Sequence, residues 1–469
     1  MSRRLLTLAA LSPLFLSGLA RADRELMLPE ALELAQKGNY DLKAQKARLD
    51  QAKAGVEQAW TALLPQVAAQ GKYTHNYKEV TLDYSAFNAG TIGLADAISA
   101  AAPAAIQTQI TNFENQLKAA TPGAAVIQKQ EQLDGSLAAT VPLIVPWAYS
   151  GVSSSKRTFE AAKATYDLSE TTVLYSVAQA FYAAAGNDEL VVARKDAITV
   201  AQKTVDNTRS RLAAGVVNKV EVMRAELALV RAEQALKEAL DNQAQAYRSL
   251  GTLIQLHEPF HVQSTQDVMP AAVNQPDRVI NALKLRPEFR ADDLTVRAAK
   301  AQRDSAAWRW APTLSAFGNL RGFNYAGFSG DKYAWAVGLQ LDWLIYDGGV
   351  RDAQRHLNAA QERESEAHLL LLRDTIADEI ANADRAYGTK RYAVDTAQRS
   401  LDLSRQTLEL VRVQYDAGTA TQLDLLTAQD NLVGSEVTLA QAHFDFLLGG
   451  LTLDRVSGTF PPPPSKGDR

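Results

Sequence analysis

Two acidic residues, Glu221 and Asp424, occupy matching places in a turn motif that the chain contains twice. Each acid follows a glycine by six positions and a small polar residue by three. The first copy comprises Gly215, Val216, Val217, Asn218 and Glu221, and the second comprises Gly418, Thr419, Ala420, Thr421 and Asp424. Glycine favours the left-handed end of a helix, and a polar residue with an acid three places later forms a capping box. Each copy therefore predicts a tight turn between two helices.

Other residue types that carry chemistry are sparse or poorly placed. His257 and His261 have a spacing that metal ligands use, but they lie in a proline-containing link, which favours solvated loop histidines. The chain has no cysteine, so thiolate sites are excluded. Paired catalytic acids, a glycine-rich phosphate loop and a nucleophile motif are not evident. We therefore expect no metal, no cofactor and no enzymatic activity.

The N-terminus predicts export. Arg3 and Arg4 precede an apolar run and the small-residue sequence Ala20-Arg-Ala22, which together form a secretory signal peptide over 1–22. The alternative, a membrane helix, is disfavoured because the run has about 15 residues and a span needs about 20. With 49 basic and 53 acidic residues, the chain presents no basic character that would suit nucleic acid.

Periodicity predicts long helices and a few strands. Proline is absent from 147–258 and from 351–455, which favours uninterrupted helix, and a helix of such length suggests a coiled coil or a tube. The predicted helices are 28–62, 151–214, 219–250, 350–416 and 421–453. The predicted strands are about 64–74, 137–147, 312–323 and 334–345, the second with ambiguous facing because prolines interrupt it.

The same order of elements occurs twice, so the chain contains an internal duplication. The first repeat spans 23–250, a link spans 251–277, and the second repeat spans 278–455. A proline-rich tail over 456–469 is expected to be disordered. The first strand-to-strand loop is about 50 residues longer than the second, which locates an insertion at 75–136. Part of it, near Ile106 and Phe113, has the spacing of a short amphipathic helix.

Four strands cannot close a membrane barrel alone, because the smallest have eight strands and an open edge leaves backbone groups unpaired in lipid. If these strands enter a membrane, two or three chains must share the barrel. All six tryptophans lie within or beside the strands, as interfacial aromatic residues do. Ordinary core aromatics and an exported helical scaffold or adaptor that never enters a membrane stay as the alternatives.

Four sequence segments, in this order and spacing, resemble the TolC-type outer membrane efflux proteins. The segments are Leu28 to Ala35, Leu64 to Val67, Tyr346 to Gly349 and Tyr415 to Asp424. The resemblance covers about 25–455. It implies a mainly α fold in which long helical hairpins form a trimeric α-barrel tunnel. It also implies that four strands per chain contribute to a shared twelve-stranded transmembrane β-barrel.

The resemblance further implies an outer membrane duct of a tripartite efflux or type I secretion system, with the tunnel in the periplasm. Its partners would be two further copies of the chain, a periplasmic adaptor, an inner-membrane pump and outer membrane lipid, with no cofactor. The two turns would meet the adaptor at the periplasmic end. The 75–136 insertion would plug or shield the external mouth.

Three residues receive roles from the resemblance. Asp424 matches a carboxylate that narrows the periplasmic aperture, and three copies around an axis would favour cations. Tyr415 matches a tyrosine that helps to hold the turns closed, and Glu221 is the equivalent acid in the first turn. A basic partner expected just after Gly418 is replaced by Ala420. The alternative for both acids is helix capping alone.

Overall fold

The computed structural model describes residues 24–83, 85–120, 125–263, 275–325 and 331–460. The predicted signal peptide and residues 461–469 of the predicted tail lie outside the described residues. The helices are α1 Leu28–Gly38, α2 Tyr40–Thr61, α3 Ser85–Ala101, α4 Ala104–Ala120, α5 Pro146–Ala213, α6 Lys219–Ile254, α7 Gln275–Leu285, α8 Pro287–Trp308, α9 Val350–Asp416 and α10 Gln422–Ser457. The strands are β1 Arg24–Leu26, β2 Gln66–His75, β3 Val80–Leu82, β4 Ala125–Gln128, β5 Glu131–Ile144, β6 Phe260–Val262, β7 Thr313–Phe323 and β8 Tyr333–Asp342.

Several element bounds differ from those predicted. The single helix 28–62 is divided at Asn39, whose Oδ1 accepts hydrogen bonds from the backbone N–H groups of Asp41 and Leu42 at 2.9 and 3.2 Å. Asn39 also donates to the backbone carbonyl of Leu253 at 3.0 Å. These bonds cap a new helix in a place that neither proline nor periodicity marks.

The second strand and the following helix are also shifted. Strand β5 begins at Glu131, which pairs with His75, rather than at 137, and it ends at Ile144 rather than at 147. Helix α5 begins at Pro146, because proline lacks only an N–H that the first helical turn leaves unpaired anyway. The predicted link 251–277 contains the end of α6, strand β6 and the start of α7. The predicted disordered tail from 456 begins as helix, and Phe460 packs in a buried core.

The first of two compact units takes in the described parts of 1–48, 163–291 and 370–469. Its main core joins α1, α5, α6 and α10 through large buried side chains, which are Leu26, Leu174, Phe181, Leu250, Ile254 and Leu451. Strand β1 pairs in parallel with β6 beside this core. A smaller core brings α7, α9 and α10 together around Ile376, Ile380 and Leu453. Both helix-to-helix turns belong to this unit.

The second unit takes in 49–162 and 292–369. It contains an antiparallel four-stranded sheet in the order β2–β5–β7–β8, with β2 and β8 at its edges. The register places Val67 opposite Ala139, Ala139 opposite Gly318, and Gly318 opposite Val337. Directly paired residues share a face, so this register places most of the apolar residues of the four strands on one face, whereas Phe317, opposite Thr140 and Gly338, lies on the other.

One face of the sheet is therefore largely apolar from β2 to β8, apart from His75 and Glu131 at one end, and the other face carries most of the polar residues. The apolar face includes Val67, Ala69, Leu137, Val141, Leu320, Trp335, Val337, Leu339 and Leu341. The opposite face includes Gln66, Gln70, Lys72, Ser136, Thr140, Ser315, Asn319, Gln340 and Asp342. The predicted alternation of β2, β7 and β8 is confirmed, and the facing of β5 is resolved. Val337 is 73% exposed and Leu339 is 68% exposed in the single chain.

The helices do not include a membrane-spanning segment: within the described parts of the chain, none combines sufficient length with sufficient apolar character to cross a bilayer.

Candidate functional site at the two helix turns

The first turn joins α5 to α6. Gly215 takes a left-handed conformation with φ of 73°, and the Val216 N–H donates to the Arg211 carbonyl at 2.9 Å. This pattern ends α5 as a Schellman motif does. Asn218 then starts α6, because its side chain accepts a hydrogen bond from the Glu221 N–H at 3.1 Å.

The second turn joins α9 to α10 in the same way. Gly418 has a φ of 76°, and the Thr419 N–H donates to the Gln414 carbonyl at 2.8 Å. Thr421 and Asp424 form a complete capping box: the Asp424 N–H donates to the Thr421 hydroxyl, and the Thr421 N–H donates to Asp424 Oδ2 at 2.9 Å. The two predicted turns are thus both present, with glycine at each left-handed position.

The two acids are held differently. Asp424 Oδ2 also accepts from the Thr421 hydroxyl at 2.6 Å. These bonds, first from the hydroxyl and then from the backbone N–H, hold the pKa of the Asp424 carboxyl below its ordinary value. The carboxylate is exposed, so it stays charged at neutral pH and faces solvent. At the start of α6, the cap is formed by the Asn218 side chain, and Glu221 takes part through its backbone N–H.

The two turns are tied together by Gln422, a residue that the sequence did not single out. Its side chain is buried at 3% exposure, and Nε2 donates to the Glu221 carbonyl at 2.8 Å and to the Thr208 hydroxyl at 3.3 Å. The start of α10 is thereby bonded to the start of α6 and to the end of α5. Its Oε1 is buried and accepts no hydrogen bond from the described residues.

A second contact joins the helices that end at the turns. The Arg211 guanidinium, at the end of α5, lies 4.3 Å from the centre of the Tyr415 ring, at the end of α9. Tyr415 is 5% exposed, and within the described part of the chain its hydroxyl has no hydrogen-bond partner. Within the described part of the chain, Tyr415 therefore contacts Arg211 through its ring, in a cation–π contact, and its hydroxyl bonds to neither acid. We name the Gln422 and Arg211–Tyr415 contacts the tip latch.

A cavity of about 560 Å³ lies behind the tip latch, between α5, α9 and α10. Its lining mixes charges of both signs, contributed by Lys203, Arg405, Arg412, Glu409 and Asp416, with Tyr415 and Leu425 at one side. The cavity therefore places charged side chains of both signs beside the tip latch.

The remaining sequence candidates lie apart from this site. His257 follows α6 and His261 lies in β6. Across the described ranges, no group of three or more His, Asp or Glu side chains is placed to hold a metal ion. Ala420 is half-buried and supplies no charge where a basic partner was expected.

Comparison with known proteins identifies relatives over both repeats. The family model described as outer membrane efflux protein matches residues 31–254 and 279–459. Nodulation protein T of Rhizobium leguminosarum bv. trifolii is 25% identical over 302 residues, which is 62% of this chain and 63% of the relative. Outer membrane protein TolC of Escherichia coli (strain K12) is 25% identical over 331 residues, 63% of each chain. The alignments thus span less than two thirds of these two relatives.

Solved structures share the fold over nearly the whole chain. The CmeC outer membrane channel of Campylobacter jejuni has a TM-score of 0.73 at 18% identity. The superposition covers 92% of this chain and 85% of the CmeC chain. CusC has a TM-score of 0.73 at 14% identity, and the superposition covers 93% of this chain and 92% of the CusC chain. At these identities the likeness concerns the fold.

Proposed function

The chain belongs to the outer membrane efflux protein family, and from this membership we propose that it is the outer membrane duct of an export assembly. Cargo would pass through it passively, from a pump assembly in the periplasm to the outside. The observation that carries the proposal is the sheet with one largely apolar face. Such a face suits contact with lipid, and the opposite polar face suits a wet lumen.

The open edges of the sheet support a homotrimer. Backbone groups at the edges of β2 and β8 would have no partner in the hydrocarbon region of a bilayer. Pairing β8 of one copy with β2 of the next removes both edges, and three copies give the twelve strands that the family resemblance implies. A helical scaffold that stays in water has no need for an apolar sheet face, so this alternative explains less.

The two turns would then lie together at the periplasmic end of the trimer, where a periplasmic adaptor and an inner-membrane pump would join the duct. The tip latch would hold the two hairpins of each chain in the closed arrangement, and Asp424 would face the aperture. This role is passive transport, which requires no catalytic step from the chain.

Cell fractionation and bilayer recording test the proposal. We expect the mature protein in the outer membrane fraction, extractable only with detergent, as a trimer by native mass spectrometry. In planar bilayers it should give discrete, cation-preferring conductance steps. Recovery of the full-length protein as a soluble periplasmic monomer would overturn the duct and favour the scaffold.

Asp424→Asn should lower the cation-over-anion permeability ratio by at least about twofold, because it removes one negative charge per chain from the aperture. Bi-ionic reversal potentials measure the ratio. The Thr421 hydrogen bonds lower the pKa of the Asp424 carboxyl and so favour its charged form, and wild-type selectivity should be present above that pKa and be lost as the pH falls through it.

Asp402→Asn is the matched control, since it removes the same exposed charge from α9 far from the turn. It should leave the permeability ratio unchanged. If Asp424→Asn instead lowers only the thermal unfolding midpoint, with selectivity as in wild type, then Asp424 serves as a helix cap and not as an aperture residue.

A further inference from the structure

The 75–136 insertion contains a helical hairpin whose outer face is exposed, with no partner among the residues that the structure describes. Helices α3 and α4 pack against each other, and Ala95 of α3 is 8% exposed. Gln107 closes the hairpin by donating to the backbone carbonyls of Ser99 and Ala102 at 3.0 and 2.9 Å. The hairpin thus has an inner side, formed by its own two helices, and an outer side that is free to meet something else.

The outer side of α3 is apolar. Gly90, Leu94, Ala97 and Ile98 recur at spacings of three and four, which places them on one face. Leu94 is 63% exposed and Ile98 is 52% exposed, and a Cβ built on Gly90 meets no atom within 4 Å. On α4, Phe113 is 50% exposed. A water-facing helix normally carries charges on its outer face, but over 85–120 the charged residues are Asp96, Glu114 and Lys118.

The base of the hairpin is fixed to the sheet. The ribbon β3–β4 pairs Val80 with Gln128. Between this ribbon and the β2–β5 ladder, Asn76 bonds through its N–H to the Gln130 carbonyl at 2.8 Å and through its side chain to the Lys129 carbonyl at 2.8 Å. Asn324, after β7, donates to the Glu131 carbonyl at 2.7 Å. The hairpin therefore extends from the sheet end opposite to the helix-bearing end, on a braced base.

We propose that the α3–α4 hairpins of three chains pack against one another through these apolar faces and form a helical cap over the external mouth. The inference rests on the proposed trimeric duct. Closing β2 against β8 of the next copy brings three identical hairpin bases to one rim. The occupant of each apolar face is thus a second copy of the hairpin, continuous with the strand interface between the same two chains.

Size and charge both fit this packing. Twelve strands about 4.8 Å apart and tilted by about 40° enclose a ring roughly 24 Å across. Six helices, each about 10 Å wide, cover an opening of that size. The outer face of α3 carries no charged residue, so approach of the copies meets no like-charge repulsion. Its small residues Gly90 and Ala97 allow close contact.

Disulfide trapping tests the cap directly, because the chain has no cysteine of its own. Ile98→Cys, in full-length trimers in detergent, should form inter-chain disulfides on mild oxidation. One cysteine per chain allows one bond per trimer, so up to about two thirds of the chains should run as dimers. Asp96→Cys, exposed on the opposite side of α3, is the matched control and should stay monomeric on denaturing gels.

Conductance gives a second readout. The pair Leu94→Glu and Ile98→Glu would set six carboxylates against one another, so the cap should open and conductance should rise at least about twofold. The pair Asn112→Glu and Asn115→Glu adds the same charge to exposed positions of α4 that face away from Phe113, and it should leave conductance unchanged.

Native mass spectrometry of the same samples separates failure of the duct from failure of the cap. Absence of trimers would remove the proposed duct itself. Intact, conducting trimers of the Ile98→Cys variant that form no disulfide, and whose introduced thiol stays reactive to a bulky maleimide, would overturn the cap alone. That face would then be left to a partner outside the chain.

Discussion

Gln422→Leu is expected to open the periplasmic end and to raise the conductance of the isolated trimer strongly. Leucine fits a buried site of similar volume and removes the unpaired Oε1, so the folded chain should persist. What disappears is the pair of hydrogen bonds that tie α10 to α6 and α5. Single-channel recording in planar bilayers measures the effect as a larger open fraction or a larger step.

The size of the effect follows from the bonds lost. Two hydrogen bonds contribute about 0.5–1.5 kcal/mol each, so each chain loses about 1–3 kcal/mol of closed-state preference. That corresponds to a change of roughly fivefold to 150-fold in the ratio of open to closed hairpins. A concerted opening of three chains would multiply the effect.

Substitutions at two other positions serve as controls. Gln441→Leu removes an amide that donates to Asp445 in the same helix, so it should leave conductance unchanged. Tyr415→Phe should also be silent, since the ring faces Arg211, whereas Tyr415→Ala should open the duct. Wild-type conductance in Gln422→Leu would refute the tip latch, and a strong effect of Tyr415→Phe would assign the hydroxyl to a neighbouring chain.

The turns could be predicted from the sequence because their determinants are local. A glycine that ends a helix, a polar cap and an acid three places later all act within about seven residues. The tip latch could not be predicted in this way. Gln422 binds Thr208 and Glu221, more than 200 positions earlier in the chain, and its residue type is common on helix surfaces.

In the sheet, too, local patterns could be predicted from the sequence and distant pairings could not. Alternation in β2, β7 and β8 predicts their two faces, because side-chain direction in a strand repeats every two residues. In β5 the prolines obscure this period, and only pairing settles the facing: Leu137 lies opposite Ala69 on one side and Leu320 on the other. Asn39 divides the first predicted helix by capping Asp41 and Leu42, a local signal that periodicity does not show, and its bond to Leu253 is the part that has no local signal.

Val337→Arg is expected to abolish assembly of the trimer in the outer membrane. Val337 lies in the middle of β8, on the apolar face, and is 73% exposed in the single chain. An arginine that faces lipid near the middle of a bilayer costs about 2–4 kcal/mol, and a trimer carries it three times. We expect little or no heat-resistant trimer in outer membrane extracts.

Ala336→Arg is the matched control, because the neighbouring position carries the same new side chain on the opposite face. Ala336 lies across from Asn319, among the polar residues that would line the lumen. There the guanidinium stays in water, so trimers should form at close to the wild-type level, with conductance reduced by the added bulk and positive charge. The reverse outcome, assembly of Val337→Arg and loss of Ala336→Arg, would mean that the apolar face does not contact lipid, and the barrel would have to be abandoned. The pair thus tests the sheet orientation on which the proposed duct depends, independently of any property of the turns.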